Sequence, residues 1–147
     1  MAVDIKNKKA EFQYFLTDRF QAGMQLLGTE VKSIRAGKAS IVEGYCKIYR
    51  GELFIYNMYI AEYPNGGYVN HEPRRQRKLL LSKVELNKLV KKMKNVGYTI
   101  VPTKVYLNDK GWLKIEVAIA KGKRLRDKRD DIKQKDLKRD MDRRLAE

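Results

Sequence analysis

The chain has 147 residues, enough for one ordinary domain with some length left for a tail, and its single cysteine, Cys46, excludes an internal disulfide. Lys and Arg number 33 against 18 Asp and Glu, a formal net charge of +15 that costs self-repulsion in the compact state and points to a polyanionic partner. Met1 to Asp4 lacks the apolar run of a signal peptide, and no stretch approaches the roughly 18 to 20 apolar residues that span a bilayer, so a cytoplasmic protein with no membrane partner is expected.

A basic opening, Lys6, Lys8 and Lys9, leads into Phe12, Tyr14 and Phe15, an aromatic stretch that reads as a strand. Thr29 is placed to cap a short helix carrying Val31 and Ile34, and Gly37 to end it. Residues Tyr45–Tyr49 and Leu53–Ile60 are rich in β-branched and aromatic side chains, with Arg50-Gly51-Glu52 between them as a tight turn. Ser82 and Glu85 form a capping box for a helix whose Leu86, Leu89, Val90 and Met93 share one face, and Gly97 supplies a left-handed residue at its end. Two further strands follow, Tyr98–Leu107 and Leu113–Ala120, joined by an Asn108-Asp109-Lys110-Gly111 hairpin turn. In the second, Leu113, Ile115, Val117 and Ile119 alternate with Lys114, Glu116, Ala118 and Ala120, the pattern of a half-buried strand. Short hairpin-joined strands with two or three interposed helices predict a mainly β, small antiparallel barrel, because closure removes exposed edges.

Composition changes at Lys121. Residues 121–147 hold 12 Lys and Arg and 7 Asp and Glu, a net of +5, and no aromatic residue. Ile132, Leu137, Met141 and Leu145 fall near helical spacing, but four apolar groups bury too little surface to offset ordering entropy. The expected organisation is a domain over residues 1–120 and a basic C-terminal tail over 121–147, disordered when free and helical on a partner. The other reading of the tail is a solvated helix laced by Asp136–Arg139 and Asp140–Arg144 pairs.

Clustered reactive side chains are missing from the sequence. His71 is the only histidine and Cys46 the only cysteine, so about four soft ligands for zinc cannot be assembled. Cys46 reads as a packed strand residue, and His71 as a loop residue or a nucleic-acid contact. Gly66-Gly67 lacks the Lys-Ser/Thr and helix of a phosphate loop. No enzyme, metal or cofactor is expected. Basic groups are the stronger feature: Arg74, Arg75, Arg77 and Lys78 precede Leu79–Leu81, and Lys32, Arg35 and Lys38 surround the short helix. Guanidinium forks suit phosphates, and tyrosines beside them suit stacking on unpaired bases. Charge alone leaves duplex DNA open, although no recognition helix rich in base-reading residues stands out.

Five segments in order along the chain resemble the SsrA-binding protein (small protein B) family. They are Asn7-Lys8-Lys9-Ala10 with Tyr14; Gly28-Thr29-Glu30-Val31-Lys32-Ser33-Ile34-Arg35-Ala36-Gly37-Lys38-Ala39; Arg77–Leu81; Gly97–Pro102; and Ala120–Lys123 with Asp127-Lys128-Arg129. Gln21 stands where many members carry an acidic residue, and Arg126 where members often carry histidine or an aromatic. The resemblance implies an oligonucleotide-binding-type barrel that binds the tRNA-like part of transfer-messenger RNA and serves trans-translation, the rescue of stalled ribosomes. Transfer-messenger RNA and the ribosome are then the partners, with elongation factor Tu in the delivery complex and no DNA. Asn7, Tyr14 and Leu80 match family positions on the RNA-binding surface, and Glu30, Lys32, Arg35 and Lys38 lie in the signature segment, Glu30 either pinning the backbone or pairing with an arginine. With Lys8 and the basic residues Arg75, Arg77 and Lys78 they are the expected RNA-binding residues. The implied tail residues at the decoding centre are Gly122, Lys123, Arg126, Asp127, Lys128 and Arg129. A structural ribosomal protein and an RNA-modifying enzyme are the competing readings.

Overall fold

The computed structural model describes residues 3–64 and 70–122. Strand β1 (Asp4–Lys6) is followed by helix α1 (Lys8–Gln13), β2 (Tyr14–Met24), α2 (Gly28–Arg35), β3 (Ala39–Ser40), β4 (Tyr45–Tyr49), β5 (Glu52–Tyr56) and β6 (Tyr59–Ile60). Then come β7 (Arg77–Leu80), α3 (Lys83–Met93), β8 (Tyr98–Leu107) and β9 (Leu113–Gly122). The pairing runs β8-β4-β5-β7-β2-β9 and returns to β8, with β1 added outside on β8, so six antiparallel strands close a ring. The mainly β class and the three peripheral helices match the sequence expectation.

Local chemistry explains the elements. The β4–β5 hairpin turns through Arg50 (φ 50°) and Gly51 (φ 76°), two left-handed residues in succession, the geometry whose twist suits a two-residue hairpin. Asn57 (φ 60°) then ends β5 at Tyr56, and Tyr59–Ile60 swing away to pair with Ala39–Ser40. The strand expected over Leu53–Ile60 is therefore two strands in two sheets. Ser82 Oγ accepts from Glu85 N at 3.2 Å and starts α3 as expected, but the helix stops at Met93, and Gly97 (φ 92°) serves the turn into β8.

Two other expectations change. Phe12 lies in α1, because Asn7 Oδ1 accepts from Ala10 N at 3.2 Å and starts a helical turn before Tyr14 opens β2. Helix α2 is capped at Leu27 rather than Thr29: the Glu30 carboxylate accepts the Leu27 N–H at 2.8 Å, while Thr29 Oγ1 bonds His71 Nδ1 at 2.9 Å.

The main core fills the ring with Phe20, Ala22, Ile34, Leu53, Ile55, Leu79, Leu89, Ile100, Val105, Ile115, Val117 and Ile119, among others. A second small cluster, Ala10, Val101 and Ala120 with Tyr14 and Leu16, sits under α1. The alternate residues Ala118 and Ala120 are buried as well, so the C-terminal half of β9 is covered on both faces rather than one. Strand β9 continues through Lys121 and Gly122, which pair with Phe15 and Tyr14. Two residues assigned to the tail thus complete the barrel. No helix among the described residues is long and apolar enough to cross a membrane.

Candidate nucleic-acid interface

The outward face of β7, β2, β9, β8 and β1 forms one surface, because residues paired directly across antiparallel strands share a side. One row runs Leu80, Gly23, Lys114, Tyr106, Asp4, and the next runs Gln21, Glu116, Lys104, Lys6. A Cβ at Gly23 would sit in ordinary contact with the row, 3.5 Å from Leu80 Cβ and 3.8 Å from Lys114 Nζ. Leu80 is 44% exposed in this setting, an apolar side chain offered to the outside among cations. Tyr106 donates from its hydroxyl to Gln21 Oε1 at 2.5 Å, and Lys104 Nζ stands 5.2 Å from the centre of the Tyr106 ring.

Glu116 organises the second row. Its carboxylate accepts from Gln21 Nε2 at 3.0 Å, Arg19 Nη1 at 3.1 Å and Thr103 Oγ1 at 2.5 Å. Burial pushes this carboxyl up, but those three hydrogen bonds and the Lys104 charge outweigh it and hold it below the usual carboxylate range. The register shift between Pro102 and Lys104 is what turns Thr103 toward Glu116. Lys6, Lys8, Arg19 and Lys104 then line a cleft of about 470 Å³ with Asn7, Glu11, Thr103 and Glu116. With Glu116 satisfied by its neighbours, the cleft presents cations to anything that enters.

The second basic area is built on Glu30 of α2. Its side chain is fully buried, accepts from Arg75 Nη2 at 2.7 Å, and is bonded to Arg77 Nε. Burial raises the Glu30 carboxyl, yet the hydrogen bonds from Arg75, the Leu27 N–H and Arg77, with the Arg77 charge, hold it below its ordinary value. Arg77 is itself fully buried and also donates to Met58 O at 2.8 Å and Pro73 O at 3.2 Å. This cluster fixes α2 and the segment before β7 to the barrel. Around it Lys32 and Arg35 line a groove of about 570 Å³ with Ala36, Tyr63, Leu107 and Gly111, and Lys32 Nζ lies 5.2 Å from the Tyr63 ring centre. Lys38 is exposed beyond the helix end, and Lys78 pairs with Glu52 at 2.9 Å across β5 and β7.

The expected RNA-binding residues therefore do not form one cluster, and three do not face outward. Asn7 is buried and donates to Ile41 O at 3.3 Å and Pro102 O at 2.9 Å, tying α1 to the barrel. Glu30 and Arg77 are interior supports, Glu30 doing both things weighed for it: it pins the backbone and pairs with arginines. Lys8 is exposed at the β-face cleft, Tyr14 is half-buried against Gly122, and Leu80 stands on the β face. Lys32, Arg35, Lys38, Arg75 and Lys78 belong to the α2–β7 area. Gly122 lies in β9, while Lys123, Arg126, Asp127, Lys128 and Arg129 lie outside the described residues.

Sequence reasoning missed Arg19, Gly23, Lys104, Tyr106 and Lys114 as surface components. The alternation in β9 placed Lys114 and Glu116 on one side, which was the available signal; their neighbours depend on pairings between distant strands. His71 is a buried strut, bonded through Nε2 to Ile60 O at 2.9 Å as well as to Thr29, rather than an exposed contact. Cys46 is buried, and burial pushes its thiol far up, against any nucleophilic role.

The SmpB protein family model matches residues 4–147. The SsrA-binding protein of Phocaeicola vulgatus is 55% identical over 141 residues, covering 96% of this chain and 94% of its own. That of Parabacteroides distasonis is likewise 55% identical over 141 residues, 96% and 92% of the two chains. A chain of a solved structure described as tmRNA-SmpB at the center of the bacterial ribosome is 42% identical, with a TM-score of 0.69 over 84% of this chain and 86% of that one. This barrel, with its basic outer face and its buried Glu30–arginine cluster, belongs to the SmpB protein family.

Proposed function

We propose that this protein binds the tRNA-like domain of transfer-messenger RNA and brings it to stalled ribosomes for trans-translation. The observation that carries the reading is the pre-formed β face, where Leu80, Lys114, Tyr106, Arg19 and Lys104 present an apolar contact, an aromatic ring and cations on rigid strands. Such a mixture suits looped RNA, in which bases are available beside phosphates. The α2–β7 area supplies further cations, Lys32, Arg35, Lys38, Arg75 and Lys78, over the support of Glu30 and Arg77. Family membership points the same way, since relatives are SsrA-binding proteins and the similar solved chain comes from a tmRNA-SmpB ribosome structure.

The role is one of binding, not catalysis: positioning a folded RNA needs charge and shape, and no step of this reading asks for a nucleophile, metal or cofactor. The setting is the cytoplasm, with the ribosome and elongation factor Tu in the delivery complex. The segment after Gly122 acts as the sensor of an empty message channel, with Lys123, Arg126, Asp127, Lys128 and Arg129 at the decoding centre. A charged segment of this kind folds when RNA neutralises it.

Truncation after Gly122, which spares every paired residue of β9, tests the assignment. Transfer-messenger RNA affinity should stay within about twofold, roughly 0.4 kcal/mol, of the full chain. Tagging of nascent chains on messages without stop codons should be lost. Tagging that survives the truncation contradicts the sensor role.

A further inference from the structure

Strand β2 is paired along its length with β9, but on its other edge β7 reaches only Gly23 and Met24. From Thr17 to Ala22 that edge has no strand partner among the described residues. Helix α3 stands over the opening. Between them lies a groove of about 500 Å³ lined by Asp18, Arg19, Phe20, Lys88, Lys91 and Lys92. Four of these six side chains are cationic and one is anionic.

Three observations give the groove a ligand. Lys88, Lys91 and Lys92 are spaced by three and four residues, so they stand side by side on one face of α3 and repel one another. The helix dipole favours Lys91 and Lys92 in the last turn but does not account for Lys88. Asp18 lies in the bulge between Leu16 and Arg19 and pairs with Lys92, leaving Lys88 and Lys91 without a carboxylate partner among the described residues. Finally, Arg19 lines both this groove and the cleft of Lys6, Lys8 and Lys104, so the two cationic troughs meet at one side chain. The only apolar lining residue, Phe20, is buried, which leaves no anchor of the kind protein interfaces use.

We infer that the groove between α3 and the open edge of β2 is a phosphate-binding track that continues the RNA face past Arg19, with Lys88 and Lys91 as its phosphate contacts. This rests on the RNA-binding reading above and extends it to a surface of a different element. The track takes the sugar–phosphate backbone irrespective of sequence, because lysines offer point charges and no base-reading fork.

The test compares two variants of the full chain that lose equal charge, one from within α3 and one from its first residue and C-terminal cap. Lys88→Gln with Lys91→Gln empties the groove; Lys83→Gln with Lys94→Gln removes two lysines that do not line it. Each is titrated with transfer-messenger RNA at several salt concentrations, with circular dichroism checking that α3 is retained. The groove pair should lower the slope of log affinity against log salt by about 1 to 2, the change for one or two lost phosphate contacts, with the control pair close to the parent. Equal slopes for the two pairs overturn the track. So does an equal loss of binding to polyglutamate of matched charge, which would mark a general acidic-surface contact. If the parent chain itself shows no preference for transfer-messenger RNA over a transcript of equal size, it is the functional reading that fails.

Discussion

Glu30 is fully buried, caps the start of its own helix by accepting the Leu27 N–H, and balances Arg77, also fully buried. Removing one member of a buried charge pair leaves the other uncompensated, whereas replacing both can be close to neutral. Glu30→Ala should therefore destabilise the fold by about 3 to 5 kcal/mol, and Glu30→Ala with Arg77→Met should recover most of that loss in urea unfolding. A double variant as unstable as the single one contradicts the pairing. Glu116 has a smaller stake with a pH signature. Its folded carboxyl is held below the ordinary value, so its stabilisation is complete above about pH 4.3 and is lost as pH falls through the folded value. The urea midpoint of Glu116→Gln should lie below that of the parent by a constant amount from pH 7 to about pH 5, and the gap should close in more acid buffer. A gap that widens on acidification would reverse the sign and the argument.

At the scale of elements, what the sequence made legible was local. The Ser82–Glu85 cap, the Arg50-Gly51 turn and the Asn108–Gly111 turn each depend on residues close in the chain, and each is where the pattern puts it. Helix α1 was hidden because its start depends on Asn7, whose amide is oriented by Ile41 and Pro102, partners 34 and 95 residues away. Phe12, Tyr14 and Phe15 looked like strand residues, and only that distant anchoring makes Phe12 helical. The same cause limited the site. Lys32, Arg35 and Lys38 were legible as a local basic group, and the β9 alternation gave the side on which Lys114 lies. The assembly of Leu80, Gly23, Lys114 and Tyr106 into a row required the register of β7, β2, β9 and β8, which no local pattern encodes. Arg77 shows the opposite failure: a basic residue in a basic run looks like surface, but its fork closes on Glu30 inside the protein.

On the scale of the whole molecule, the barrel answers a conflict between net charge and compactness. Two carboxylates, Glu30 and Glu116, lie inward and fix arginines from behind, while lysines remain outside on the β face, α2 and α3. The outcome is a rigid scaffold with a positive exterior, which gains by meeting a polyanion. Central to the account is that this exterior recognises one folded, tRNA-like RNA rather than RNA in general. Gentle affinity purification of the full chain from its cells, followed by sequencing of the co-purified RNA, tests this most directly. The account predicts one strongly enriched species, transfer-messenger RNA, released as salt is raised. Recovery dominated by ribosomal RNA that persists at high salt, or a broad mixture of transcripts with no favoured member, would contradict it.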